Sequence, residues 1–106
     1  MGNPYLPRMG APEVRAPELE REVDGDAVAR LTVIAQEAAA CTACRLHEGR
    51  TKSVFARGNP GAPVAFVGEG PGYHEDQQGE PFVGRAGTLL DRMIGAMGLR
   101  DDEIYI

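Results

Sequence analysis

Glu69 stands between two glycines in Gly68-Glu69-Gly70-Pro71-Gly72, directly after the apolar run Val64 to Val67, and opens a loop that carries Glu75, Asp76, Glu80 and Phe82. A carboxylate at the mouth of a strand can orient and deprotonate a water, provided an electrophile lies within reach of that water. Glycines at 70 and 72 let backbone N–H groups approach a ligand closely, and Pro71 stiffens the turn between them. Phe82 offers a flat apolar surface on which a planar ligand can stack. The Gly/Pro cluster stops the strand and forces a sharp turn at its C-terminal end, the edge where open α/β sheets bind ligands.

Other chemistries fit this loop less well. Its glycines are spaced G-x-G-x-G rather than G-x-G-x-x-G, and its carboxylates would repel a pyrophosphate. There is no G-x-x-x-x-G-K-[ST] element, and Glu75, Asp76 and Glu80 do not follow the alternate-position pattern of a calcium loop. A Gly/Pro-rich surface loop with solvated acids remains the structural alternative. A second constellation is Cys41-Thr42-Ala43-Cys44. Two thiols at this spacing serve as half of a zinc site, as half of an iron–sulfur site, as a redox pair, or as inert side chains. A redox pair normally follows a strand and opens a helix, whereas this pair follows a helix and leads into a loop. Zinc or a cluster needs about four ligands, and the chain has two cysteines, with His47 and His74 as the only histidines.

The elements that must position these groups follow from periodicity. Asp24 or Asp26 can cap a helix whose apolar positions Val28, Leu31, Ile34, Ala35 and Ala38 recur at helical spacing and which ends near the cysteines. A charged segment then leads through Gly58 to Gly61 into a strand over 64–67. Ala86, Leu89, Leu90, Met93, Ile94 and Met97 form one apolar stripe of a second helix, with Gly98 as its C-cap. Ile104 to Ile106 open a second strand. The order is helix, strand, loop, helix, strand, a βα(β) unit preceded by one helix and therefore an α/β chain. With a single crossover helix the sheet is unfinished, which predicts part of a larger α/β domain or a small domain completed by a partner.

Composition narrows the class. Residues 1–23 hold Pro4, Pro7, Pro12 and Pro17 among Glu and Arg without a helical or strand period, and are predicted to be a disordered tail. Residues 24–106 must then build the core, close to the lower size limit of independent domains and with 14 glycines in the whole chain. The net charge of −5 argues against nucleic-acid binding by bulk positive charge. Only Arg45, Arg50, Lys52 and Arg57, against the single acid Glu48, form a locally basic stretch able to contact phosphates or to serve as a solvated loop. No apolar run reaches the length of a membrane span and no signal-peptide pattern opens the chain, so a soluble, cytoplasmic protein with no membrane partner is predicted.

Taken in order, Cys41-Thr-Ala-Cys44-Arg-Leu, Gly49-Arg50-Thr51, Gly68-Glu69-Gly70-Pro71-Gly72, Glu75-Asp76, Gly79 and Pro81-Phe82-Val83-Gly84-x-Ala86-Gly87-x-Leu89-Leu90 resemble the N-terminal part of the iron–sulfur uracil-DNA glycosylases called family four. The resemblance runs from about Cys41 to Ile106. It implies base excision repair of uracil in DNA, on a three-layer α/β/α fold with a central, mainly parallel four-stranded sheet. It implies a [4Fe-4S] cluster with four cysteine ligands, of which Cys41 and Cys44 match the first two. Glu69 matches the carboxylate assigned to water activation or cation stabilisation. Gly68, Gly70, Pro71 and Glu75 match the loop around the base, and Phe82 the aromatic residue that stacks on uracil.

The chemistry is consistent with these roles. A uracil in a duplex must be flipped into a pocket with an aromatic face and backbone donors for its carbonyls. Cleaving its glycosidic bond develops positive charge on the sugar, which a carboxylate stabilises, and negative charge on the base, which N–H donors stabilise. Several family features are absent: the second cysteine pair, the Asn motif that reads uracil and the later His-containing loop. Tyr73 and His74 stand where relatives often carry acids, and His74 could contact phosphate or a flipped nucleotide. The sequence therefore predicts that residues 1–106 alone are inactive and cannot hold a four-cysteine cluster within one chain. The alternative is a non-catalytic module that binds DNA or uracil, or that ligates metal between two chains. Oligomeric state is not encoded in any motif.

Overall fold

The structure is a computed structural model that describes residues 25–106, so the predicted tail and Asp24 lie outside the described residues. Helix α1 spans Gly25–Ala40, with Asp26 in its first turn, where a negative charge favours the helix dipole. The predicted apolar stripe is only partly inward: Leu31, Ala35 and Ala38 are half-buried, whereas Val28 and Ile34 are exposed. At the other end the Arg50 guanidinium donates to the Ala39 carbonyl at 3.0 Å, satisfying one of the acceptors a helix C-terminus leaves open. A single turn, α2 (Leu46–Gly49), follows the cysteines.

Strand β1 (Val64–Ala65) pairs in parallel with β2 (Ile104–Tyr105), Val64 opposite Ile104 and Ala65 opposite Tyr105. Both are shorter than the apolar runs suggested. The ladder ends where Phe66 N–H donates to the Tyr105 carbonyl at 2.8 Å, and Val67, with no strand beside it, is 95% exposed. The other edge of β2 is not free. Arg57 and Ile106 exchange both backbone bonds, at 3.0 and 2.8 Å, and Asn59 N–H donates to the Ile104 carbonyl at 2.9 Å. This antiparallel bridge, centred on Gly58 opposite Tyr105, makes β2 the middle of a small mixed sheet.

Between the strands lie two α-helices and, just before β2, a short 3-10 turn at Asp101–Glu103. The loop after β1, predicted as irregular throughout, contains α3 (Tyr73–Gln78), stopped by Gly79 in the left-handed region at φ 78°. Helix α4 (Arg85–Ala96) supplies the crossover that a parallel pair requires. It ends one residue earlier than predicted, with Met97 as C-cap and Gly98 following at φ 73°. Its apolar stripe splits in two. Ile94 is buried and Leu90 packs beside it, while Leu89, Met93 and Met97, four residues apart along the neighbouring row, are each more than half exposed. Ile94, Ile104 and Ile106 are the buried core, and Phe66, Phe82, Leu90 and Leu99 pack against it.

Candidate functional site

The loop that leaves β1 and returns through α3 to α4 encloses a cavity of about 600 Å³, open to solvent, at the C-terminal edge of the parallel pair. That volume lies in the range of small-molecule sites, roughly 300–1,000 Å³. Gly68, Glu69, Gly70, Pro71, Glu75 and Phe82, the six residues singled out from the sequence for this loop, all line it. Val54 and Phe55 form a further apolar wall that the sequence did not signal, and Phe66, Tyr105 and Ile106 close it on the sheet side. The cavity thus combines an apolar lining with one exposed carboxylate, that of Glu69, and a run of backbone N–H groups.

Those N–H groups are not equivalent. Gly72, predicted to face a ligand, is the N-cap of α3 and gives its N–H to Glu75 Oε2 at 3.1 Å. The N–H groups of Glu69 and Gly70 donate to no described residue, and both residues line the cavity. Glu75 lines the cavity, yet its carboxylate is committed to backbone. Oε2 accepts from Gly72, and Oε1 accepts from Val83 and Gly84, each at 2.9 Å. Gly84 is the N-cap of α4, so one carboxylate ties together the starts of two helices, where negative charge is favoured. The Gly84 N–H, followed by the N–H groups of Glu75 itself, Val83 and Gly72, holds the Glu75 carboxyl below its ordinary pKa of 4.5, against a smaller opposing effect of desolvation.

Asp76 performs a similar task toward the preceding segment. Its Oδ1 accepts from the N–H groups of Thr51 at 2.7 Å and Lys52 at 3.3 Å, and the Thr51 bond is the main reason its pKa is lowered from 3.8. Asp76 was legible in the sequence only as part of the acidic pair; the structure shows what it fastens.

Phe82 is the most constrained residue of the site. Its backbone lies in the left-handed region at φ 53°, a conformation costing about 1–3 kcal/mol for a residue with a side chain. Two glycines accommodate it. A Cβ built on Gly68 would lie 2.9 Å from Phe82 Cε2, and one on Gly87 would overlap the Phe82 carbonyl. The ring therefore lies over the glycine at the loop's start, and α4 can approach only because position 87 lacks a side chain. Glycine at both positions is a steric requirement of this ring placement.

The remaining candidates fall elsewhere. Tyr73 and His74 are exposed, stacked edge to face with centroids 5.4 Å apart, and neither lines the cavity. The basic stretch is divided rather than gathered: Arg50 binds a helix carbonyl, and Arg57 donates to the carbonyls of Pro81 at 2.8 Å and Phe82 at 3.4 Å while pairing with Asp91 at 3.3 Å. Cys41 and Cys44 are exposed free thiols between α1 and α2. His47 Nδ1 lies 2.6 Å from the Cys44 carbonyl, which can only accept, so this nitrogen carries the proton and Nε2 is the one left for other partners. Among the described residues no three His, Cys, Asp or Glu side chains gather as a metal site. Two thiols supply half of a four-thiolate set, and the sequence contains no further cysteine; the chain's own residues thus do not complete such a cluster. Among the described residues no helix is long and apolar enough to cross a membrane.

Comparison with known proteins adds independent weight. The family described as the uracil DNA glycosylase superfamily matches residues 55–106. A type-4 uracil-DNA glycosylase of Thermotoga maritima is 45% identical over 76 residues, covering 72% of this chain and 40% of the relative. The type-4 enzymes of Archaeoglobus fulgidus and Sulfurisphaera tokodaii are 48% and 46% identical over 69% and 72% of the chain, and 37% and 35% of their own length. The chain thus spans between about a third and two fifths of the relatives it matches.

Proposed function

Because the chain belongs to the uracil DNA glycosylase superfamily, we propose that its cavity is the base-binding side of a uracil-DNA glycosylase, which hydrolyses the N-glycosidic bond of a flipped-out deoxyuridine in DNA. The observation that carries this reading is the convergence of Glu69, the open N–H groups of Glu69 and Gly70, and the Phe82 ring on one cavity. Phe82 stacks on the extruded base, and the loop N–H groups donate to its carbonyl oxygens, where negative charge grows as the bond breaks. Pro71 has no N–H and keeps the turn rigid between the donors and α3. Glu69 stabilises the cationic sugar and guides water to the anomeric carbon, taking the water's proton as the new C–O bond forms. Glu75 acts as the brace that keeps the loop, the base stack and α4 in register.

The same membership supports a three-layer α/β/α domain with a mainly parallel four-stranded sheet, of which β1 and β2 are two strands. It also supports Cys41 and Cys44 as two of the four ligands of a [4Fe-4S] cluster, which two further thiolates would complete. Nuclear magnetic resonance titration of the chain with 2′-deoxyuridine, with thymidine as comparison, tests the pocket. Shifts centred on Gly68 to Gly70 and Phe82, and weaker for thymidine, are expected. An absence of shifts there, or equal binding of the two nucleosides, would overturn the assignment to uracil.

A further inference from the structure

We infer that Arg57 is a positioning residue of the base pocket: its guanidinium locks the two peptide groups on either side of Phe82 and so sets the direction in which the stacking ring leaves the backbone. The inference rests on the uracil reading for its consequence, but on geometry alone for its first step. Arg57 Nε donates to the Pro81 carbonyl at 2.8 Å and Nη2 to the Phe82 carbonyl at 3.4 Å. The first bond fixes the peptide that precedes Phe82. The second fixes the peptide that follows it, whose other end, the Val83 N–H, is held by Glu75 Oε1 at 2.9 Å. A peptide plane with its carbonyl on a cation and its N–H on a carboxylate has little freedom to rotate. Phe82 sits between these two held planes with φ 53°, the one non-glycine residue at positive φ among those described. A conformation of that kind persists only where the surroundings over-determine it.

The anchor is itself fixed. Arg57 exchanges both backbone bonds with Ile106 at the edge of the sheet, and Nη2 also reaches Asp91 Oδ1 on α4 at 3.3 Å. One side chain therefore connects the sheet, the loop carrying Phe82 and the helix that follows. The arrangement requires a fork: two donors at a set separation pointing at two carbonyls, which a guanidinium provides and a lysine ammonium does not. Composition had placed Arg57 in the basic stretch available for phosphates; its bonds assign it inward instead.

The test uses the 106-residue chain and compares wild type with Arg57→Ala and Arg57→Lys. Two readouts are taken: the nuclear Overhauser contact between the Phe82 ring and the Gly68 Hα, and the dissociation constant for 2′-deoxyuridine. The amide signals of Phe66 and Ile106 report whether the sheet stays paired. Both variants should keep the sheet signals, lose the ring contact and bind deoxyuridine about tenfold or more weakly, the loss expected when a preorganised surface is released. If Arg57→Ala loses the sheet signals, Arg57→Lys, which keeps the charge and the stem, decides by the same ring contact. An unchanged ring contact in a folded variant overturns the inference, whatever the affinity does. If wild type shows the ring contact but binds no deoxyuridine, the uracil reading fails while the positioning role is still judged by the ring contact.

Discussion

At the residue scale the site depends on what two glycines omit and what one phenylalanine tolerates. Gly87 and Gly70 make a sharp contrast within the same loop and helix. A Cβ at 87 would overlap the Phe82 carbonyl, whereas one at 70 meets nothing within 4 Å. Gly87→Ala is therefore predicted to lower stability by about 1–3 kcal/mol, the usual cost of forcing volume into a filled space. Gly70→Ala should stay within about 0.5 kcal/mol of wild type. Urea unfolding midpoints measure both, and similar midpoints for the two variants would contradict the close approach of α4 to Phe82. The sequence made Glu69, Gly70 and Phe82 conspicuous because their types and spacing suit a stacked planar ligand. It could not reveal the left-handed backbone of Phe82, which no residue type announces, nor that Arg57, twenty-four positions before Pro81, would reach its carbonyl.

At the scale of elements, the loop is organised by carboxylates acting on backbone. Glu75 joins the starts of α3 and α4, and Asp76 fastens α3 to the segment that follows the cysteines. Both pKa values are lowered in the folded chain, so each group favours folding when ionised. The contribution is present above the unfolded pKa and disappears as pH falls through the folded one. The amide signals of Val83 and Gly84 are accordingly predicted to titrate with a midpoint below 4.5, the ordinary value for Glu75, and Glu75→Gln should abolish that transition. A midpoint at or above 4.5 would contradict the brace. Helix α3 was hidden in the sequence because Gly, Pro and acidic residues read as loop. Gly72 three positions before Glu75, with Gly79 beyond, is half of a reciprocal cap and a left-handed stop, and it marks the helix in retrospect. The longer helices were legible from their 3.6-residue period, although that period did not tell which half of the α4 stripe would face inward. Leu90 and Ile94 do so because Ile104 of β2 and Ile106 just after it pack with them.

At the scale of the whole molecule, the order of elements and the parallel pairing of the two strands follow from alternating apolar runs joined by a crossover helix. The antiparallel bridge of Arg57 to Asn59 with β2 does not, because that segment has no strand period and meets the strand through backbone bonds. Among the described residues three side chains form the buried core, and Leu89, Met93 and Met97 leave an apolar row on α4 in contact with solvent. Against that small core, the cavity is assembled from widely separated stretches, residues 54–56, 65–72, 81–82 and 105–106 together with Glu75 and Ala86, so the sheet and α4 act chiefly to hold its walls. The central proposal is that uracil is excised in this cavity and that Glu69 carries the chemistry. It is tested most directly by uracil release from a single-stranded oligonucleotide with one deoxyuridine, using the Thermotoga maritima relative in which residues 41–106 of this chain replace its own matching segment. The exchanged enzyme should release uracil, and Glu69→Gln within it should slow release by about a hundredfold or more, the usual contribution of a positioned carboxylate. Full activity with Gln at position 69, or no release by the folded exchanged enzyme while its parent remains active, would contradict the account.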